Sequence, residues 1–250
     1  MAELVTVARD GDVLVIRLNR PEKKNAMTRV MYDAVIEVFA VADRDGLGAI
    51  LIAGSGGSFM AGNDLADFLA ATERPDDLSA FRFITGLARL ETPLVAAVDG
   101  VAVGVGTTML LHCDLVYAAP TALFRLPFVD LGLVPEAASS LLLPRRVGLA
   151  KASELLLLAE PFDADEGFRI GLVNAVVPAD RLLAHALEQA KKLAAKPRQA
   201  IAATRRLMRG NQAEILAAME RESIAFREAL ASPAAKAAFG AFLSKSKPAA

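Results

Sequence analysis

The chain has 250 residues, 54% hydrophobic and 23% charged, with a formal net charge of −1. That length and composition support one sizeable folded core and exclude a disordered chain, and the near-neutral charge argues against a broadly basic nucleic-acid surface. One cysteine, Cys113, excludes an internal disulfide and a cysteine-based zinc site, while two histidines, His112 and His185, leave almost no material for a histidine metal centre or a Ser-His-Asp triad.

The opening MAELVTVARDGDV has no basic stretch followed by an apolar one, so no signal peptide is expected. LVTVARDGDVLVIRLNRP predicts a hairpin, with Asp10-Gly11 supplying the positive φ of a tight turn. Thr28 is expected to cap a helix whose apolar positions Met31, Val35, Val38 and Ala42 step by four, three and four. GAILIAGSGGSF reads as a buried strand running into a loop. Residues 79–91 read as a helix stopped before Pro93, PLVAAVDG as a strand and GVGTTMLLH as a helix. CDLVYAAP and GLVNAVVP give two further strands. Strands, small-residue loops and helices in this order suggest a repeating ββα unit of an α/β fold. From about residue 180 helical spacing dominates, with breaks at Pro197, Gly210-Asn211 and Ser232-Pro233. Ala-rich helices with charged faces, such as QAEILAAMERESIAFREAL, are expected to cover a core or meet another subunit. Charges interrupt every apolar run before the roughly 20 residues a membrane span needs. The closing SKPAA is no peroxisomal address, so a cytoplasmic location is expected.

Two loops offer backbone N–H groups to a ligand. FMAGNDL (59–65) follows a buried strand, and DGVAVGVGTTMLL (99–111) joins a strand to a helix N-terminus. Two such groups converging on one oxygen would form an oxyanion hole, although a small-residue turn is often only a turn. GVAVGVG does not fit the dinucleotide fingerprint G-x-G-x-x-G. A third segment, LGLVPEAASS, sets one carboxylate, Glu136, among apolar and small residues, where an unpartnered charge is costly.

LNRPEKKNAM, FMAGNDLADF, PLVAAVDGVAVGVGTTMLLHCDLVYAA and FRLPFVDLGLVPEAASSLLLPRRVG occur in the order seen in the crotonase family, the enoyl-CoA hydratase/isomerase superfamily, which the chain resembles over about residues 12–195. The resemblance implies a spiral of ββα turns over residues 1–195 and a C-terminal helical segment over 196–250, used in assembly and as pocket cover. It implies a homotrimer or hexamer, an acyl-CoA thioester substrate, no metal, and no cofactor besides the coenzyme A that the substrate carries; neither nucleic acid nor membrane is an expected partner. Carried over by position, the oxyanion hole would be the backbone N–H of Asn63 and of Val105, where the family usually has glycine. Lys24 would lie near the CoA phosphates, or be a solvated surface lysine. Ala61 would offer its carbonyl to the adenine.

Hydratases of this family use two glutamates; their positions fall on Thr108 and on Phe128, after Pro127. Threonine is no strong base near neutral pH and phenylalanine transfers no proton. LGLVPEAASS is instead similar to the peroxisomal-type 3,2-enoyl-CoA isomerases, in which the corresponding glutamate is the only acid/base. The resemblance therefore implies an isomerase with Glu136 as shuttling acid/base, against two alternatives: a hydratase or other acyl-CoA enolate enzyme, and a non-catalytic acyl-CoA-binding protein. Glu136 could otherwise be a helix N-terminal acid with a lowered pKa, opposed by apolar neighbours that would raise it. Asp64 could touch substrate or cap the next helix, and Phe128 could border the acyl group. Asp130, near Phe128, reads mainly as a structural acceptor, with the reacting carboxylate as the alternative, His112 as packed or exposed, and Cys113 as a small core residue. Ser139 and Ser140 could line the pocket or let helices approach closely. Phe59, Phe68, Phe81 and Phe83 read mainly as core, with an acyl-chain border as the alternative.

Overall fold

The computed structural model describes residues 3–72 and 79–245; the closing SKPAA lies outside the described residues. Strands β1 (Val5–Asp10) and β2 (Val13–Leu18) form the antiparallel hairpin, with Asp10 opposite Val13 and Gly11 at φ 63 in the turn. Helix α1 (Arg29–Arg44) starts where Thr28 Oγ1 accepts the Met31 N–H at 3.4 Å, and its predicted stripe of Met31, Val35, Val38 and Ala42 is buried. Then come β3 (Ala49–Gly54), α2 (Leu65–Thr72), α3 (Ser79–Arg89), β4 (Leu94–Val98), β5 (Val101–Val103), α4 (Val105–Thr108), β6 (Leu115–Ala118) and β7 (Leu123–Arg125). The chain continues through α5 (Ser139–Val147), α6 (Leu149–Ser153), β8 (Phe162–Asp163), α7 (Ala164–Arg169), β9 (Ala175–Val176), α8 (Ala179–Ala194), α9 (Arg198–Arg209), α10 (Gln212–Ala231) and α11 (Pro233–Lys245).

Six strands form one sheet in the order β1-β2-β3-β4-β6-β9, parallel from β2 onward. Helices cover both faces, which is why β3 and β4 read as unbroken apolar runs. Ile50, Ile52, Leu94 and Ala96 face α1 and α3, whereas Val13, Leu51, Val95 and Tyr117 pack against Leu182, Ala186 and Ala190 of α8. A second sheet, β5-β7-β8, receives the chain as it leaves the first, so β4-β5 and β6-β7 are the doubled strands of successive ββα turns. The turn into β5 needs glycine: Gly100 lies at φ 61, and a Cβ there would stand 2.0 Å from the Gly57 carbonyl oxygen. The loop from 59 to 60 joins this second layer through a bridge between Met60 and Ala102.

Two expectations change. The segment 99–111, read as joining a strand directly to a helix, contains the further strand β5, and the helix expected over GVGTTMLLH is a single α-turn, α4, tightened into a 3₁₀ turn at Met109–His112. All three C-terminal breaks fall where the sequence places them, at 197, 210–211 and 232. Among the described residues no helix is long and apolar enough to cross a membrane.

Candidate active site

The first loop is shaped by its neighbour, RPEKKNAM. Asn25, fully buried at φ 56, donates from Nδ2 to the carbonyls of Ser55 and Ser58 and accepts the Arg20 N–H, fixing the two segments together. Met27 then donates to the Gly62 carbonyl at 2.8 Å and accepts the Asp64 N–H at 2.8 Å. Alternate residues of an extended chain point to opposite sides, so the Asn63 N–H between these two bonds faces away from Met27. The second loop brings Val105 as the first residue of α4, where an amide has no acceptor within its own helix. Gly106 permits the approach, since a Cβ there would lie 2.4 Å from the Met60 carbonyl oxygen. No acceptor among the described residues takes the N–H of Asn63 or of Val105.

Asn63, Val105 and Glu136 border one cleft of about 280 Å³, part of it open to solvent. Its walls include Tyr32, Phe81 and Phe226. Phe226 of α10 meets Phe68 and Phe81 edge-on, with ring centroids 6.2 and 5.9 Å apart, closing the apolar side. The Tyr32 hydroxyl donates to Asn63 Oδ1 at 2.6 Å, and burial pushes its pKa well above the usual phenol value.

Glu136 opens a β-turn over residues 136–139, closed by the Ser139 N–H on the Glu136 carbonyl at 3.0 Å and reinforced by Ser139 Oγ at 2.6 Å. The central residues, Ala137 and Ala138, have φ of 58 and 56, the primed geometry normally given to Asn or Gly. For residues with a Cβ this costs about 1–2 kcal/mol each. The turn aims the carboxyl into the cleft, where it is only 9% exposed and accepts Thr108 Oγ1–H at 2.5 Å. Burial pushes its pKa up to about 8; the Thr108 hydrogen bond opposes the rise and the Glu222 charge adds to it. The competition between helix dipole and desolvation goes to desolvation, because Glu136 lies before α5 and does not cap it. That role belongs to Glu222 of α10, which accepts the Ala138 and Ser140 N–H groups at 2.6 and 2.9 Å.

The remaining expected site residues lie around or away from the cleft. Lys24 is exposed at φ 50, and its carbonyl accepts the Ala61 N–H at 3.0 Å, so these two meet through backbone at the outer edge of the first loop. Asp64 caps α2 by accepting the Ala66 and Asp67 N–H groups, and pairs with Arg20 at 2.8 Å. Phe128 sits in the main apolar cluster beside a 3₁₀ turn, and the cleft wall does not include it. Asp130 is paired with Arg125 at the surface. Phe59 and Phe83 are fully buried core residues, while Phe68 and Phe81 border the cleft. Ser140 bonds Glu222 rather than lining the cleft. Cys113 is buried, its thiol pushed up to about 12.

Sequence reasoning missed Thr108 as the partner of Glu136, as well as Tyr32, Phe226 and Glu222. The last two lie in a helix expected only to cover a core or meet another subunit, and no local pattern marks them as site residues. His112 is buried, its pKa lowered to about 4 by desolvation, so the neutral ring can donate from Nε2 to the Ala137 carbonyl at 2.8 Å. Among the described residues no three His, Cys, Asp or Glu side chains group as metal ligands.

The sequence model of a family described as "Enoyl-CoA hydratase/isomerase" matches residues 8–249. A rat (Rattus norvegicus) protein named "Enoyl-CoA delta isomerase 2" is 35% identical over 224 residues, covering 87% of this chain and 57% of its own length. A "Crotonyl-CoA hydratase" of Syntrophomonas wolfei is 35% identical, covering 98% of this chain and 96% of its own, and other relatives also carry hydratase names. The crystal structure of an enoyl-CoA hydratase/isomerase from Pseudoalteromonas atlantica superimposes with a TM-score of 0.92 at 42% identity, over 99% of this chain and 100% of that one.

Proposed function

Because the chain belongs to the enoyl-CoA hydratase/isomerase family, we propose that its cleft takes a 3-enoyl-CoA thioester and moves the double bond to position 2. The observation that carries this reading is Glu136: a buried carboxyl with a pKa near 8, in one cleft with two unpartnered backbone N–H groups. The C2–H bond breaks as Glu136 takes the proton, and its electron pair moves into the enolate, whose oxygen the Asn63 and Val105 N–H groups hold. The same proton passes from Glu136 to C4, where the C3–C4 π pair forms the new C–H bond; the pair taken from C2–H becomes the C2–C3 double bond as the thioester carbonyl reforms, and the carboxylate is restored. No proton or electron is gained overall, so the shift asks for no electron carrier. A base with a pKa near the working pH balances the fraction ionised against the strength needed for a weak carbon acid.

The positions of the two hydratase glutamates support the choice of isomerisation. Thr108 spends its hydroxyl on Glu136, and Phe128 is packed in the core. The hydratase names of several relatives favour a second reading, water addition to 2-enoyl-CoA on the same oxyanion hole. Lys24 and Ala61, at the outer edge of the first loop, are proposed as contacts for the CoA phosphates and adenine. Purified protein and Glu136→Gln, each given 3-enoyl-CoA and 2-enoyl-CoA, test both readings. Isomerisation and C2 deuterium exchange that disappear in the variant support the proposal. Hydration that survives in the variant supports the second reading, and an inert wild type that binds acyl-CoA refutes both.

A further inference from the structure

The turn that aims Glu136 is built from residues that do not favour its shape, so something outside the turn must impose it. Glu222 is placed to do so. One carboxylate oxygen, Oε2, accepts the Ala138 N–H at 2.6 Å; the other, Oε1, accepts the Ser140 N–H at 2.9 Å and the Ser140 hydroxyl at 2.5 Å. It is buried, at 6% exposure, and reaches the turn from a helix 84 residues further along the chain. His112 holds the other side through the Ala137 carbonyl. Glu222 also lies one helical turn from Phe226, so a single face of α10 supplies both the brace of the acid and the apolar wall of the cleft.

We propose that Glu222 is the positioning residue of this site: it locks the left-handed Ala137-Ala138 turn and thereby fixes where the Glu136 carboxyl meets the acyl carbons. The inference rests on the reading of Glu136 as the acid/base. A second consequence follows from the same bonds. By occupying the free amides at the start of α5, Glu222 removes the positive helix end that would otherwise draw Glu136 inward and keep it ionised. The site thus uses two acids with separated tasks, one bound permanently to backbone and one left free to trade a proton.

The test is Glu222→Gln, which keeps the side chain's size but turns an NH₂ group toward backbone donors. Because a misplacement of about 1 Å can cost about 10²-fold in rate, kcat for 3-enoyl-CoA should fall by up to about 10²-fold while KM changes little, since no contact to the thioester is removed. Amide hydrogen exchange at Ala138 and Ser140 should speed up, a readout that needs no turnover. Adding Ala138→Gly, which takes the left-handed φ without strain, should restore part of kcat. Ser140→Ala, which deletes only the hydroxyl bond, serves where Glu222→Gln folds poorly and should lower kcat more mildly, again without raising KM. Unchanged kcat with unchanged protection of the two amides would overturn the proposal, as would losses confined to KM. If the wild type does not isomerise 3-enoyl-CoA, the reading of Glu136 fails by itself. Amide protection then decides the brace: lost in the variant it stands, kept in the variant it falls.

Discussion

Replacing Thr108 with valine removes one hydroxyl and nearly nothing else, because the two side chains have similar shape. The lost bond, from Oγ1 to Glu136 Oε1 at 2.5 Å, is the influence that holds down a carboxyl which burial raises to about 8. A hydrogen bond to a charged group contributes about 1.5–3 kcal/mol, and one pKa unit is about 1.4 kcal/mol. Its removal should therefore raise the Glu136 pKa by about 1–2 units. Only the ionised carboxylate can take the C2 proton. At pH 7, one unit below a pKa of about 8, roughly a tenth of the wild-type sites are ready. Thr108→Val should leave roughly a hundredth to a thousandth ready. kcat/KM at pH 7 should then fall about 10–10²-fold and recover toward the wild-type plateau in alkaline buffer, since that parameter reports the free enzyme. The assay follows the conjugated 2-enoyl-CoA product by ultraviolet absorbance across the pH range. A variant profile that keeps its midpoint and only drops in height would refute the tuning role of Thr108. A midpoint displaced to lower pH would refute the desolvation argument itself.

Glu136→Gln should change stability as well as activity. The native carboxyl holds its proton up to about pH 8, whereas the unfolded chain releases it near 4.5, so the native state binds more protons across that window. Stability contributed by this group is therefore lost as pH rises from about 4.5 to 8, and the glutamine variant should remove that part of the slope; denaturant midpoints at acidic and mildly alkaline pH compare the two, and parallel curves would contradict the assignment. Gly106→Ala would put a methyl 2.4 Å from the Met60 carbonyl oxygen. The two loops must part, so C2 deuterium exchange should drop by about 10²–10³-fold, as expected when an oxyanion donor is displaced, and undiminished exchange would show that Val105 N–H is not such a donor. Phe226→Leu removes buried volume from the aromatic wall and should cost about 0.5–3 kcal/mol of stability. It should move the optimum of kcat/KM toward longer acyl chains, and an unchanged chain-length series would place the acyl group elsewhere.

Much of the architecture is written locally. Asp10-Gly11 between alternating apolar runs defines the hairpin, Thr28 with its four-three-four stripe defines α1, and the unbroken apolar runs of β3 and β4 announce a sheet covered on both faces. Strands as short as β5, β7 and β8 carry no readable period, which is why the second sheet stayed hidden.

The site divides the same way. Glu136 was conspicuous as an acid among apolar neighbours, and the order of four motifs pointed to the two amide-bearing loops, because residue type and spacing are properties of the chain itself. What those residues do was decided elsewhere. Ala137-Ala138 holds no glycine or asparagine to betray a left-handed turn, and its shape comes from a glutamate 84 positions away. Likewise the sequence left Asp64 between a substrate contact and a helix cap, and its bonds to the start of α2 and to Arg20 make the cap; Phe128, expected to border the acyl group, lies in the main apolar cluster. The Glu136 pKa of about 8 sums burial, Thr108 and Glu222 from three separate parts of the chain. Desolvation acts through space and has no period along a sequence, so the sequence could name the acid while only tertiary packing could set its charge and its aim.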